Sequence, residues 1–223
     1  GPCTCERTFT MPNVAQDHWG RPYAYLDPAS GRTEAKRPGA RSALIVACHC
    51  PPAFVLILHA WAARASTTEI TQAIFHIHTI FRPVQIAVET AGQQYLLYSH
   101  LIDEAMRQGI KLPLVEGKQY TEDAKDARIT ESIQPLTVQG RLCIQSHHTL
   151  LRDELADYPR GATKDLLDAL AGCLSIMPKP QPILGHQDSR QAVLDYLARA
   201  NASAQTIEHY RTTPRHDIPS MIH

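Results

Sequence analysis

Four acidic residues are placed where they could build a metal site. Two apolar segments, YAYLD and IAVE, each end in a carboxylate, at Asp27 and Glu89. A later segment, KDLLDAL, carries Asp165 and Asp168. An apolar strand has little use for a terminal acid unless the acid faces solvent, caps a neighbour or holds an ion, because burying an unpaired carboxylate costs several kcal/mol. The ordered set therefore indicates a site.

Carboxylates without accompanying Cys or His are the ligands that hard divalent cations take, which favours Mg²⁺ or Mn²⁺. Asp165 and Asp168 are three residues apart in the first turn of a predicted helix, so both could point to one side and complete the cluster. Four acids can hold two ions, one activating water and the other stabilising the leaving 3′ oxygen of a phosphodiester. Taken singly, Asp165 is typical of a helix N-terminus and Asp27 of a turn before Pro28.

The elements that must position these acids follow from hydrophobic periodicity. The sequence predicts strands at 23–27, 42–49, 53–60 and 84–89. The first three form an antiparallel meander, and a capping box at Ser66 and Glu69 opens a helix that runs to Phe81. A right-handed crossover through this helix lets the fourth strand lie parallel to the first. Asp27 and Glu89 would then meet at the carboxyl edge, where α/β sheets bind ligands.

The rest of the chain is expected to complete an α/β fold with one mixed sheet. Parallel strands extend the three-strand antiparallel meander, and helices flank the sheet. Further helices are predicted at about 92–108, 124–136, 148–158 and 163–177, and further strands at 111–115 and 141–145. Residues 1–22 are expected to be an irregular lead-in or linker remnant, and 23–177 the folded domain. Residues 178–223 are expected to form a proline-rich linker, a short helix and a flexible tail.

The charge balance restricts how the chain could bind nucleic acid. Lys plus Arg and Asp plus Glu both number 22, so no global positive field draws the protein to DNA and a local patch must do so. One candidate patch is a helical face with Lys125 and Arg128. A second is the loop after Asp27, with Arg32, Lys36, Arg37 and Arg41. Either set is also typical of a solvated surface. No stretch approaches the roughly 20 apolar residues of a membrane span, so no membrane partner is expected.

Six motifs occur in order between residues 23 and 174. They are YLDPASG at 25–31, ARAS at 63–66, VETAGQ at 88–93, KDARI at 125–129, LADYP at 155–159 and DLLDAL at 165–170. Their order and spacing resemble the ribonuclease-H-like nuclease superfamily, and more closely the nuclease domain of the large terminase subunit of tailed bacteriophages. The resemblance implies a ribonuclease-H-like sheet.

The resemblance also implies a divalent-metal-dependent endonuclease that cuts double-stranded concatemeric viral DNA during genome packaging, in the cytoplasm of the infected bacterium. By motif, Asp27 is the first-strand metal ligand, Glu89 the second, and Asp165 or Asp168 the third. Terminases often have His-Asp-Asp where this chain has Thr163-Lys164-Asp165, which leaves the primary aspartate open. The implied partners are an upstream ATPase domain, whose phosphate-binding motif does not occur in this sequence, the portal protein and the small terminase subunit.

Two alternatives remain at this point. The D-x-x-D-A-L spelling at 165–170 is equally similar to Holliday-junction resolvases, so a junction resolvase or a transposase-like enzyme of the same superfamily is possible. The domain could instead serve mainly as a docking module, binding a portal or partner subunit through the predicted tail helix at 189–200.

Overall fold

The computed structural model describes residues 20–29, 41–50, 54–90, 94–118 and 121–178. Its strands are β1 (Tyr23–Asp27), β2 (Ser42–Cys50), β3 (Phe54–Ala63), β4 (Gln85–Glu89), β5 (Leu114–Gly117) and β6 (Leu142–Cys143). Its helices are α1 (Thr67–Phe81), α2 (Gln94–Gln108), α3 (Glu122–Val138), α4 (Thr149–Asp157) and α5 (Asp165–Ile176). Most of the predicted lead-in, and all of the linker, short helix and tail beyond Pro178, lie outside the described residues.

The strands form one mixed sheet in the order β5-β4-β1-β2-β3-β6. Neighbours β1, β2 and β3 are antiparallel, while β4 is parallel to β1, β5 to β4, and β6 to β3. The predicted meander, crossover helix and parallel fourth strand are therefore confirmed. The carboxyl ends of β1 and β4 lie side by side in the middle of the sheet.

Helix α1, which makes the crossover, begins at the predicted capping box. Ser66 Oγ accepts the backbone N–H of Glu69 at 3.3 Å, and Glu69 Oε2 accepts the backbone N–H of Ser66 at 2.7 Å. The helix ends at Arg82, which adopts φ 45° just before Pro83, a residue that cannot continue the helical hydrogen bonding. These local signals explain why the sequence predicted this helix well.

Both faces of the sheet are covered. One buried cluster lies between the sheet and α3, α4 and α5, and includes Tyr25, Ile45, Ile57, Ala87, Ile129 and Leu166. The other lies between the sheet and α1 and α2, and includes Leu26, Leu44, Val88, Ile74 and Leu101. Side chains alternate along a strand, so Asp27 and Glu89 project from the same face as Tyr25 and Ala87, toward α5. None of the helices in the described ranges combines the length and the apolar character needed to cross a bilayer.

Two predicted strands differ from the structure. The strand predicted at 111–115 is β5, which begins only at Leu114, because Pro113 has no N–H to donate and only accepts the N–H of Ile86, at 2.9 Å. The strand predicted at 141–145 is reduced to the two residues of β6, at the sheet edge. In both cases the apolar run predicts a strand but not its ends, because the ends depend on backbone pairing with the neighbouring strand.

Helix α5 approaches the sheet closely at Gly172. A Cβ atom placed on this glycine would lie 2.5 Å from the ring of Tyr25, which is itself only 1% exposed. The ring is enclosed and cannot move aside without disturbing the core. Gly172 therefore sets how near α5 lies to β1.

We expect Gly172→Ala to lower the free energy of unfolding by about 1–2 kcal/mol. Overpacking against Tyr25 should outweigh the roughly 1 kcal/mol that Ala gains over Gly in a helix. Urea denaturation measures the difference. Glu131→Ala, at an exposed position of α3, serves as the control and should be near neutral. A Gly172→Ala variant as stable as the parent protein would contradict this account of the packing.

Candidate functional site

Three carboxylates converge at the carboxyl edge of the sheet. Asp27 ends β1, Glu89 ends β4 and Asp168 lies in α5, and each offers an oxygen within 4.8 Å of the others. The first two meet because Leu26 pairs with Val88 in the parallel register, which places the next residue of each strand side by side. The structure thus brings together three of the four acids predicted from the sequence.

Asp168 reaches the cluster through the close packing of α5. It lies one turn before Gly172 on the same helical face, since residues four apart lie above one another. Gly172 contacts the ring of Tyr25, two residues before Asp27 on the same strand face. Asp168 is therefore held over the end of β1, and it is 4% exposed.

Asp165 does not join the cluster. Its Oδ2 accepts a hydrogen bond from Arg41 Nε at 3.1 Å, and the pair lies toward α4 rather than toward Glu89. Residues three apart in a helix differ by about 60° in direction and about 4.5 Å along the axis, so only one of the two aspartates can face the strand ends. The packing of α5 assigns that place to Asp168.

A lysine from α3 lies among the three carboxylates. Lys125 Nζ is 2.6 Å from Asp168 Oδ2, 3.4 Å from Asp27 Oδ2 and 3.4 Å from Glu89 Oε1. Arg128, one turn further along α3, donates from Nη2 to the carbonyl oxygen of Asp168 at 3.1 Å and pairs with its Oδ1. The two cations offset part of the negative charge that the three acids bring together.

Burial and charge shift the ionisation of these groups. Burial raises the pKa of Asp27 to about 8, because the charges of Glu89 and Asp168 reinforce it and Lys125 only partly opposes it. The pKa of Glu89 is also raised, chiefly by burial. Burial alone would lower the pKa of Lys125, but the carboxylates around it outweigh this and hold that pKa above its usual range. Additional positive charge close to these carboxylates would stabilise the cluster electrostatically.

The donor set fits a hard divalent ion. All three ligands are carboxylate oxygens, the type that Mg²⁺ and Mn²⁺ prefer. Glu89 Oε2 is buried and accepts no hydrogen bond within the described part of the chain, which is costly for an anionic oxygen unless an ion engages it. Asp27, Glu89 and Asp168 could therefore hold the ion.

The basic residues predicted to contact DNA are distributed unequally. Lys125 and Arg128 lie at the carboxylate cluster, as described above. Arg41 is paired with Asp165 and with Glu154 of α4. Arg32, Lys36 and Arg37 lie outside the described residues.

Two residues of the site environment were missed by the sequence analysis. Tyr25 lies under the cluster and donates from its hydroxyl to the carbonyl oxygen of Lys118 at 3.3 Å, and burial, with the charge of Glu89 next, raises its pKa. Its place two residues before Asp27 was an available signal. Glu154 accepts hydrogen bonds from the first turn of α5, and no local motif marks it.

No protein-family model matches this sequence, and no curated protein sequence matches it significantly. The nuclease domain of the P22 large terminase is similar in structure, with a TM-score of 0.52 and 12% identity over 76% of this chain and 88% of that one. The large terminase nuclease from thermophilic phage G20c with bound zinc gives a TM-score of 0.46 and 14% identity over 70% of this chain and 82% of that one. Thermus thermophilus RuvC in complex with a Holliday-junction substrate gives a TM-score of 0.39 and 16% identity over 69% of this chain and 91% of that one.

Of these likenesses, that to the P22 domain has a TM-score above 0.5 and covers most of the described mixed sheet and its flanking helices. At 12% identity the likeness concerns the fold. The chain therefore has a ribonuclease-H-like fold, which it shares with the P22 large terminase nuclease domain.

Proposed function

We propose that this chain is a divalent-metal-dependent DNA endonuclease of the large terminase type, cutting double-stranded concatemeric viral DNA during genome packaging. The observation that carries the proposal is the convergence of Asp27, Glu89 and Asp168 at the carboxyl edge of the sheet. The fold shared with the P22 large terminase nuclease domain supports it. The wider setting belongs to the same proposal: an upstream ATPase, the portal protein and the small terminase subunit as partners, in the cytoplasm of an infected bacterium.

The site residues have complementary roles in this mechanism. Bound Mg²⁺ or Mn²⁺, with two ions present once DNA is bound, would activate a water for in-line attack and stabilise the leaving 3′ oxygen. Asp27, Glu89 and Asp168 supply the oxygens that hold the metal. Lys125, which lies among the three carboxylates, and Arg128 beside them keep positive charge at the cluster, which favours the approach of a phosphodiester. The enclosing strands and helices keep these groups in place before substrate arrives.

The loop between β1 and β2 is the second proposed DNA contact, through Arg32, Lys36 and Arg37. Its two ends lie beside the carboxylates, since Asp27 pairs with Ala43 and the N–H of Ala29 bonds to Ser42 Oγ at 3.0 Å. The segment that carries these basic residues is therefore joined at both ends to residues near the proposed metal ligands. Contacts of this kind position the DNA backbone without reading sequence, so cleavage without sequence preference is expected.

The first experiment is cleavage of supercoiled plasmid in Mg²⁺, Mn²⁺ or chelator. We expect nicking and linearisation with either ion and none with chelator. Asp27→Asn, Glu89→Gln and Asp168→Asn should each abolish cutting, because each removes a charged ligand oxygen. Asp165→Asn is the matched control from the same helical turn and should retain cutting at saturating metal concentration, because it removes no metal ligand.

Loss of cutting with Asp165→Asn and its retention with Asp168→Asn would overturn the assignment of the third ligand. A folded parent protein that cuts with no ion would overturn the nuclease proposal, and would favour a docking role or a need for the ATPase domain. Circular dichroism of each variant separates loss of activity from loss of folding.

Lys125→Met tests whether the ammonium group competes with the metal for the same oxygens. Its Nζ contacts all three carboxylates, so removing the charge should tighten Mn²⁺ binding by about tenfold in the absence of DNA. Isothermal titration calorimetry measures the dissociation constant. Lys111→Met, an exposed lysine before β5, is the control and should leave it unchanged. Weaker Mn²⁺ binding by Lys125→Met would show that Lys125 supports the metal rather than competing with it.

Substrate choice separates a terminase-type nuclease from a junction resolvase. We expect linear duplex and immobile four-way junctions of equal length to be cut at comparable rates, within about threefold, because phosphate contacts carry no information about branching. Gel analysis of end-labelled substrates measures both rates. Strong preference for the junction, with paired symmetric cuts, would favour the resolvase alternative.

A further inference from the structure

An ion-pair network joins three separate elements beside the carboxylate cluster. Arg41, at the start of β2, pairs through Nη2 with Glu154 Oε1 and donates from Nε to Asp165 Oδ2 at 3.1 Å. The second carboxylate oxygen of Glu154 accepts the backbone N–H groups of Leu166 and Leu167, at 2.9 and 3.3 Å. One buried carboxylate of α4 is thus bonded to β2 and to the start of α5.

This network replaces the usual local helix cap. Lys164 precedes α5 and makes no side-chain capping bond, so the first N–H groups of the helix have no partner from their own segment. Glu154 supplies that partner from another helix, with a negative charge that the helix N-terminus favours. Its side chain is only 4% exposed, and such a burial is tolerated because Arg41 and the two amides satisfy it.

The network is connected to two of the proposed metal ligands, Asp27 and Asp168. Arg41 is two residues from Ala43, which pairs with Asp27 at the end of β1. The first turn of α5, which Glu154 holds, leads directly to Asp168, whose N–H bonds to the carbonyl oxygen of Lys164 at 2.9 Å. Sheet register already fixes Asp27 relative to Glu89, whereas Asp168 depends on how α5 sits over the sheet.

We propose that Glu154 is a positioning residue of the carboxylate site, which with Arg41 fixes the start of α5, and so Asp168, relative to Asp27. This inference rests on the proposed function, since it concerns the metal affinity of the same site. It also gives Arg41 a different role from DNA contact. Groups that orient metal ligands without touching the metal commonly change metal affinity by about 10- to 100-fold when replaced.

The test compares Mn²⁺ affinity, cleavage as a function of Mn²⁺ concentration, and thermal stability in Glu154→Ala, Glu154→Gln and Arg41→Met. We expect Glu154→Ala to weaken Mn²⁺ binding by about tenfold, and to move the metal midpoint of cleavage by the same factor. The rate at saturating Mn²⁺ should largely return, because the ligands themselves are intact. Glu154→Gln should be milder, since its carbonyl oxygen can still accept the amide N–H groups while the charge facing Arg41 is lost.

Glu69→Ala is the matched control. Glu69 also caps a helix with its carboxylate, at α1, which supplies no carboxylate to the cluster. This variant should lose stability without any change in the metal midpoint. A purely stabilising role for Glu154 would give the same pattern and would overturn the inference.

The outcomes separate the two proposals. Unchanged Mn²⁺ affinity in folded Glu154→Ala, with the parent protein binding metal and cutting DNA, overturns the positioning role alone. A parent protein that binds no metal overturns both proposals. If Glu154→Ala does not fold, Glu154→Gln and Arg41→Met decide the question by the same midpoint measurement, and unshifted midpoints in both overturn the inference.

Discussion

Mutual repulsion among three converging carboxylates governs how the helices of this protein are packed around its site. Asp27, Glu89 and Asp168 place oxygens within 4.8 Å of one another, and two of the three side chains are almost fully buried. Such a set persists only with positive charge beside it. Helix α3 provides that charge through Lys125 and Arg128, so the packing of α3 against α5 serves the electrostatics of the site as well as the core.

The same constraint links the resting site to its proposed chemistry. An ammonium group that contacts three carboxylates at once occupies the position of greatest negative potential, which is also where a divalent ion gains most. Two features have the same origin: the raised pKa of Asp27, and the lack of a hydrogen bond to Glu89 Oε2 from any residue that the structure describes. Both reflect acidic oxygens held close together away from water. Binding of a dication would relieve both. Bringing the three acids together costs folding free energy, and a bound dication would offset that cost.

Much of the frame that positions the site could be predicted from the sequence. The capping box at Ser66 and Glu69, the breaker at Pro83 and the alternation in the strands are local signals, and the right-handed crossover rule then places β4 beside β1. Local sequence signals are therefore enough to predict that Asp27 and Glu89 lie together. They are less successful where pairing depends on a neighbour, as in β5, whose start is set by Pro113 and by register with β4.

The residue pattern alone predicts an α/β domain with acids at two adjacent strand ends, because strand patterns, caps and crossover handedness depend on residues near one another in the chain. The packing of the helices was needed to show that Asp168 rather than Asp165 completes the cluster, that Lys125 lies at its centre, and that Arg41 pairs with Glu154. The rotation of α5 is set by Gly172 against the ring of Tyr25, a contact between residues 147 positions apart. Hydrophobic periodicity predicts which face of a helix or strand is buried, but not which residues lie opposite that face. Contacts across such separations therefore cannot be predicted from it.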